Sequence, residues 1–349
     1  MMVIGLHLWQ AGALGQGTLA RLAIAGQTGV DLFFVLSGFL ITRILLSNRG
    51  VPGQLGRFYL RRSLRIFPLY YAGLLLYLVI VPILSGGRPV PLSQSWWFTV
   101  YLQAIPMTLP GHVWAGPVHF WSLAVEEHFY LVWPWVVAFV HPRRLPWVAI
   151  AVVALSLATR WTFVHIAGLS AFFATPCRLD GLAFGALLAS AERGDLPSGV
   201  TRMLRERSGA FCAVVALAML LYWGLWSQSG SAVLAVYKYT AISLFFGLAM
   251  SWIVLGGDER RLAAAAFTIL SCAPARAVGR ISYGLYVYHP ACIILLRLWW
   301  PHAAHAWFMA AVLLATFAIS WASFRWMERP ILGLRDFPTK PADHTPQGP

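Results

Sequence analysis

Three arginines stand close together at the start of an apolar segment. Arg61, Arg62 and Arg65 lie in the run from Phe58 to Pro68, which reads FYLRRSLRIFP. Guanidinium groups bind phosphate oxygens through paired, planar hydrogen bonds, so such a cluster suits a phosphate-rich ligand. A basic loop can instead serve only to hold that end of a membrane protein in the cytoplasm. The other ionisable residues of the chain decide between these interpretations.

A second set of ionisable residues lies within apolar segments. Such side chains are costly inside a membrane and usually face the interior of the helix bundle, where they take part in function. Histidine is the natural general base near neutral pH, and a carboxylate can orient it and stabilise its protonated form. A His–carboxylate pair could therefore activate a sugar hydroxyl for acyl transfer. The candidates are His7, Asp31, His119, Glu126, Glu127, Asp180 and His289.

The two aspartates also have structural interpretations. Asp180 can simply pair with Arg178 or Arg160, as buried charges in membranes do. Asp31 can cap the first turn of its helix through its carboxylate. Both alternatives remain open at the level of the sequence.

The other candidates have structural interpretations as well. Glu126 and Glu127 are adjacent, about 100° apart around a helix, so we expect that they do not both point the same way. One of them is then a structural partner for an arginine. His289 can be a packing residue with a satisfied hydrogen bond.

The composition is that of a membrane protein. The 349 residues are 59% hydrophobic and 11% charged, with a mean hydropathy of +0.68, and no soluble domain of this size needs so much apolar surface. The net charge of +14 comes from short loops and not from one basic face, which argues against nucleic acid as a partner. The four cysteines are scattered, so neither a disulfide framework nor a metal is predicted.

The hydropathy pattern predicts an all-α transmembrane bundle of about ten spans, each needing about 20 apolar residues. This membrane domain covers 1–335, and the polar, proline-rich tail 336–349 is predicted to be a disordered cytoplasmic segment. The segment 86–120 contains no clean span and is predicted to be an outer loop. The predicted spans are 1–10, 28–47, 66–85, 121–140, 146–166, 176–191, 209–227, 234–255, 280–299 and 305–326.

Arginine is unevenly distributed between the loops that connect these spans. Alternate loops collect it, whereas the intervening loops hold only Arg21 and Arg88. By the positive-inside rule the arginine-rich loops are cytoplasmic, and both termini then face the cytoplasm. The arginine-rich loops are 49–65, 143–144, 193–207, 260–280 and the segment from 325 onward.

Five stretches together resemble the acyltransferase-3 family of multi-span membrane O-acyltransferases. The third stretch matches the family pattern Trp-Ser-Leu-x-Val-Glu-Glu-Gln-Phe-Tyr, except that His128 replaces the glutamine. In order, the stretches are GVDLFFVLSGFLIT at 29–42, FYLRRSLRIFP at 58–68, WSLAVEEHFY at 121–130, RLDG at 178–181 and GRISYGLY at 279–286.

The resemblance implies a bacterial inner-membrane enzyme that moves a short acyl group from cytoplasmic acyl-CoA, acetyl-CoA above all. The implied acceptor is a hydroxyl of a carbohydrate or lipid-linked glycan, and the remaining partner is membrane lipid. His7 matches the family's catalytic histidine of the first span, and Arg61, Arg62 and Arg65 match positions linked to CoA. We expect Glu126 or Asp31 to orient His7. Direct attack and a covalent acyl relay both remain open.

One departure from the family pattern concerns the start of the chain. The family usually carries an arginine about eleven positions before its histidine, whereas only six residues precede His7. The first span is thus too short to cross a core of about 30 Å. We predict a start upstream of Met1; a truncated, degenerate copy is the alternative.

The alternative function is a transporter or flippase for a glycan or lipid-linked precursor. Many spans and charged groups at membrane depth suit that class too. It predicts broken helices and inverted repeats, and the sequence shows no internal repeat. It also gives no reason for a phosphate-binding cluster beside histidines and carboxylates.

Overall fold

The computed structural model is a bundle of α-helices. It describes residues 2–13, 17–110, 116–226, 232–256 and 261–334, and these ranges contain no β-strand. The all-α fold predicted from the sequence is confirmed, whereas the tail predicted at 336–349 lies outside the described residues. The helices are α1 (Met2–Gln10), α2 (Thr18–Ala25), α3 (Gly29–Ser47), α4 (Gln54–Leu75), α5 (Val81–Leu84), α6 (Leu92–Thr99), α7 (Ala104–Met107), α8 (Trp121–Phe139), α9 (Leu145–Thr162), α10 (Leu179–Arg193), α11 (Ser198–Trp226), α12 (Ala232–Leu255), α13 (Arg261–Leu270), α14 (Ala273–Trp299), α15 (His305–Ser323) and α16 (Arg329–Gly333).

Six helical segments within the described ranges are long and apolar enough to cross a membrane. Helices also occupy the other four predicted spans, namely α1, α8, α10 and α11. These helices are too short, or not apolar enough, to be identified as membrane-crossing in the same way. Helix α10, for example, has only 15 residues, and α8 carries Glu126 and Glu127. The six segments are Ala20–Ser47, Gln54–Leu84, Pro142–Ala167, Ala235–Leu255, Ala273–Trp299 and His305–Gly333.

Helices α3 and α10 cross with their backbones in direct contact. A Cβ atom added to Gly38 would lie 2.0 Å from the carbonyl oxygen of Leu182, and one added to Gly185 would lie 2.1 Å from that of Val35. Only glycine allows so close an approach, and small residues drive helix packing in membranes for this reason. Near the start of both helices, a Cβ atom added to Gly181 would lie 2.9 Å from the Cβ atom of Phe34, so the first turns that carry Asp31 and Asp180 lie close together.

Two buried ion pairs fix this end of the crossing. Nη2 of Arg178 lies 2.7 Å from Oδ1 of Asp31, and Nη2 of Arg160 lies 2.6 Å from Oδ2 of Asp180. All four residues are at most 3% exposed, and buried charges of this kind are stable only when they are paired. The structural interpretation of Asp180 is confirmed, with Arg160 as its partner. The helix-cap interpretation of Asp31 is wrong, because its carboxylate binds Arg178 and Thr28 holds the cap position.

Candidate active site

Two cavities lie next to each other inside the bundle. The arginine cavity, of 290 Å³, contains Arg62 and Arg65 in its wall. The histidine cavity, of 460 Å³, contains His7 and His119, and its volume falls within the usual range for small-molecule sites. The two cavities share the lining residues Val3, Val30 and Tyr286.

Helix α4 supplies the basic wall of the arginine cavity. Arg62 and Arg65 are three positions apart, so they lie on one face of the helix, and both line the cavity. Arg61 is exposed and lies outside this lining. The structure thus brings two of the three predicted arginines into one cavity.

Helix α8 supplies the acidic wall of the same cavity. Glu126 and Glu127 both line it, so the expectation that they point in different directions is wrong. An offset of 100° around a helix is small enough for two long side chains to reach one space. The Glu126 carboxylate accepts a hydrogen bond from the Tyr130 hydroxyl at 2.9 Å, and the guanidinium carbon of Arg62 lies 4.0 Å from the Tyr130 ring centroid.

His7 and His289 form a direct contact between α1 and α14. Nδ1 of His7 lies 2.7 Å from Nε2 of His289, and the two rings stack with centroids 4.9 Å apart. Nδ1 of His289 lies 3.0 Å from the carbonyl oxygen of Leu285. A carbonyl can only accept, so in a neutral His289 ring Nδ1 is the donor and Nε2 carries the lone pair.

That assignment fixes the tautomer of the neutral His7 ring as well. Its Nδ1–H donates to Nε2 of His289, so its own Nε2 carries the free lone pair, as a general base requires. His7 lines the histidine cavity, whereas His289 lines the arginine cavity. The contact between the two rings therefore joins the two cavities.

The two carboxylates predicted to orient His7 occupy other positions. Asp31 is paired with Arg178, and Glu126 lies in the wall of the arginine cavity. His289 takes the place at the His7 ring that the sequence prediction assigned to a carboxylate. The catalytic roles predicted for Asp31 and Glu126 stay predictions.

Pro290 shapes the part of α14 that carries His289. Proline has no N–H to donate within the helix. The Tyr77 hydroxyl forms hydrogen bonds with the neighbouring backbone groups. It accepts from the N–H of Ala291 at 2.9 Å and donates to the carbonyl of Val287 at 2.7 Å. Side chains that insert in this way satisfy backbone groups where proline interrupts a membrane helix.

His119 also binds this part of α14. The main chain of Val287 is the polar neighbour of its ring on α14, and its Nε2 has no hydrogen-bond partner among the described residues. In the neutral tautomer with the proton on Nδ1, Nε2 carries a lone pair. The His119 ring lies 6.3 Å from that of His7 and 5.7 Å from that of His289, between centroids.

Tyr286 stands in the wall that the two cavities share. Its hydroxyl lies 2.6 Å from Oγ of Ser122 and donates to the carbonyl of His119. These bonds tie α14 to the start of α8, where Ser122 lines the arginine cavity and Trp121 lines the histidine cavity. Among the described residues, no group of three or more His, Cys, Asp or Glu side chains is arranged to hold a metal ion.

The sequence prediction named His119 and His289 as candidates without giving either a role. Their importance depends on contacts with Val287 and Leu285, which only the folded α14 provides. A usable sequence signal was the pair His289–Pro290, because a proline in a predicted span frees backbone groups that polar side chains then bind.

Comparison with known proteins identifies the family. A family described as an acyltransferase domain, acyltransferase-3, matches residues 1–325. The chain therefore belongs to this family of acyltransferases, and the resemblance inferred from the five motifs is confirmed.

Curated relatives of this chain include proteins that carry the name OatA. The peptidoglycan O-acetyltransferase OatA of Listeria monocytogenes is 29% identical over 337 residues, which cover 88% of this chain and 52% of that protein. The O-acetyltransferase OatA of Staphylococcus aureus is 28% identical over 343 residues, with the same coverage of 88% and 52%. The chain thus spans about half the length of these relatives. No solved structure matches it.

Proposed function

We propose that this chain is a membrane O-acetyltransferase that moves an acetyl group from acetyl-CoA to a hydroxyl of an exported glycan. The observation that carries the proposal is the His7–His289 contact at the boundary of the two cavities. One cavity offers cations for an anionic donor, and the other offers a histidine lone pair to a hydroxyl. The names of both relatives support O-acetyl transfer, and that of the Listeria protein supports peptidoglycan, a cell-wall glycan, as the acceptor.

The arginine cavity is the proposed donor site. Arg62 and Arg65 would bind the phosphates of CoA through charge-assisted hydrogen bonds. Glu126 would position Arg62 indirectly, because it holds the Tyr130 hydroxyl and Arg62 stacks on the Tyr130 ring. The acyl thioester would then reach towards His289, which lines the same cavity.

The histidine cavity is the proposed acceptor site, with His7 as the general base. Nε2 of His7 takes the proton of the acceptor hydroxyl while the hydroxyl oxygen attacks the thioester carbonyl. The carbon–sulfur bond breaks, the ester forms, and the CoA thiolate takes up the proton that His7 removed from the hydroxyl, so that CoA leaves as the thiol and His7 is neutral again. His289 holds His7 in the required tautomer. The geometry is compatible with this direct attack, and it does not require a covalent relay.

The topology proposed for this reaction retains about ten spans with both termini in the cytoplasm. Helices α1, α8, α10 and α11 would cross the membrane together with the six clear candidates. Polar residues of α1, α8 and α10, namely His7, Glu126 and Asp180, are tolerated there because they face the cavities or an ion pair rather than lipid. The positive-inside rule then puts the arginine cavity on the cytoplasmic side, where acyl-CoA is made.

The test is mass spectrometry of the surface and secreted glycans of the source bacterium. A deletion strain is compared with strains that carry the wild-type gene, its His7→Ala version, or its His165→Ala version as a matched control at an exposed histidine. We expect base-labile esters to vanish on deletion and to return with wild type and His165→Ala only. Unchanged esters in all strains, with a glycan precursor accumulating inside the deletion strain, would favour the transporter instead.

A further inference from the structure

The histidine cavity differs from the arginine cavity in charge. The arginine cavity contains two arginines and two glutamates. Among the described residues that line the histidine cavity there is no Asp, Glu, Lys or Arg; its polar side chains are the two histidines, two tyrosines, one tryptophan and the amides of Gln10 and Gln27. A charged ligand group would lose its hydration there without gaining a counter-ion, which is strongly unfavourable.

The walls of this cavity are aromatic. Tyr77, Trp121, Phe172 and Phe173 line it, and the Trp121 ring packs against that of Phe172 with centroids 4.8 Å apart. A pyranose ring presents apolar C–H faces and a rim of hydroxyl groups. Flat apolar walls with a few polar groups at fixed positions suit such a ligand, because the walls pack against its faces and the polar groups form hydrogen bonds with its hydroxyl groups.

His119 provides an unsatisfied polar atom at this cavity. The residue is 8% exposed, lines the cavity, and has no hydrogen-bond partner for Nε2 among the described residues. A buried acceptor without a partner is costly, so a site of this kind favours a ligand that supplies the missing donor. A sugar hydroxyl is such a donor, and sites built to bind a hydroxyl reject analogues that lack it.

We propose that His119 is an acceptor-binding residue and that the acceptor is an uncharged pyranose. Nε2 of His119 receives a hydrogen bond from one sugar hydroxyl while a second, reacting hydroxyl faces Nε2 of His7. The two rings are 6.3 Å apart between centroids, a spacing that lets them contact different hydroxyls of one sugar. This inference rests on the proposed function, because it assigns the acceptor of that same reaction.

The first arm of the test varies the charge of the acceptor. Purified full-length protein in detergent is given labelled acetyl-CoA and one of three pyranose tetramers: neutral tetra-N-acetylchitotetraose, cationic chitotetraose or anionic tetragalacturonate. We expect kcat/KM for the neutral tetramer to exceed that for either charged tetramer by about tenfold or more. Equal use of all three, or preference for a charged tetramer, would overturn the uncharged acceptor.

The second arm replaces His119 in two ways. His119→Asn keeps an amide near the position of Nδ1 for the Val287 carbonyl and deletes Nε2, whereas His119→Gln puts an amide near Nε2. We expect His119→Asn to raise the KM for the neutral acceptor about tenfold, the effect of one hydrogen bond, with an unchanged KM for acetyl-CoA. His119→Gln should raise the KM for the neutral acceptor less than His119→Asn does. His165→Gln should have the wild-type KM for this acceptor.

The outcomes separate this inference from the proposed function. Suppose that the wild type acylates a tetramer and that His119→Asn, shown to be folded by its thermal transition, keeps the wild-type KM for the acceptor. This result would overturn the role of His119 alone. Equal increases in the KM values of donor and acceptor would also overturn it, because they indicate general damage. Absence of any acylated product from the wild type, in this assay and in cells, would overturn the proposed function and this inference with it.

Discussion

Nδ1 of His7 lies 2.7 Å from Nε2 of His289, which in turn binds the carbonyl oxygen of Leu285 through its Nδ1. The chain of bonds needs no carboxylate to set the tautomer of His7. A backbone carbonyl at its end does so, because it can only accept. The site thus avoids placing a further buried charge beside His7.

His289 should be as important to the reaction rate as its position suggests. We expect His289→Phe, which keeps the ring and removes both nitrogens, to lower the acyl-transfer rate by about 100-fold or more. His289→Gln can still offer a carbonyl oxygen to His7 Nδ1–H and should keep a larger share of the rate. Steady-state assays of the purified variants measure both, and a wild-type rate for His289→Phe would show that His7 is oriented in another way.

The three arginines of α4 should differ in their effect on the donor. Arg62→Ala and Arg65→Ala are each expected to raise the KM for acetyl-CoA about tenfold or more, the effect of one charge-assisted hydrogen bond. Arg61→Ala should change it much less, because Arg61 lies outside the arginine cavity. An equal rise in the KM for acetyl-CoA in all three variants would indicate that the cluster acts through its overall charge.

The ion pair of Asp31 and Arg178 should stabilise the fold. Asp31→Asn leaves the Arg178 charge buried without its partner, and we expect a loss of about 3–5 kcal/mol in the free energy of unfolding. The double variant Asp31→Asn with Arg178→Gln removes both charges and should recover much of the stability and the activity. Thermal unfolding in detergent measures the stability of the variants, and the acyl-transfer assay measures their activity. A double variant that is stable but inactive would instead support the catalytic role predicted for Asp31.

The crossing of α3 and α10 should not accept a larger residue. A Cβ atom at position 185 would lie 2.1 Å from the carbonyl oxygen of Val35, so Gly185→Ala must push the helices apart, at a cost of about 1–3 kcal/mol. Gly56→Ala is the matched control, because a Cβ atom there meets open space. It should be neutral or raise the stability by up to about 1 kcal/mol. Equal thermal transitions for the two variants would contradict the close crossing.

Features that depend on local sequence were predicted well. The periodic apolar segments predict the all-α fold and helices at all ten predicted spans. The cost of a buried charge also predicts an arginine partner for Asp180, but it leaves Arg178 and Arg160 as alternatives. Whether α8 and α10 cross the membrane is harder to predict, because helices lined with polar groups resemble soluble ones in composition.

Features that depend on long-range packing were not predicted. The sequence allows His289 to be a packing residue because its partners, His7 and the Leu285 carbonyl, come together with it only when α1 packs against α14. It also allows Asp31 to be a helix cap or an orienting carboxylate, because its partner, Arg178, is 147 positions away. A single sequence gives no signal for such a pair.

The His7–His289 contact joins residues that are 282 positions apart in the sequence. This separation also determines how late in synthesis the contact can form. At 5–20 residues per second, a ribosome needs on the order of 15–55 s to pass from one histidine to the other. During that interval α1 has been made but its partner has not. A nascent chain therefore waits without the complete proposed active site, because the His7–His289 contact can form only when α14 has been made.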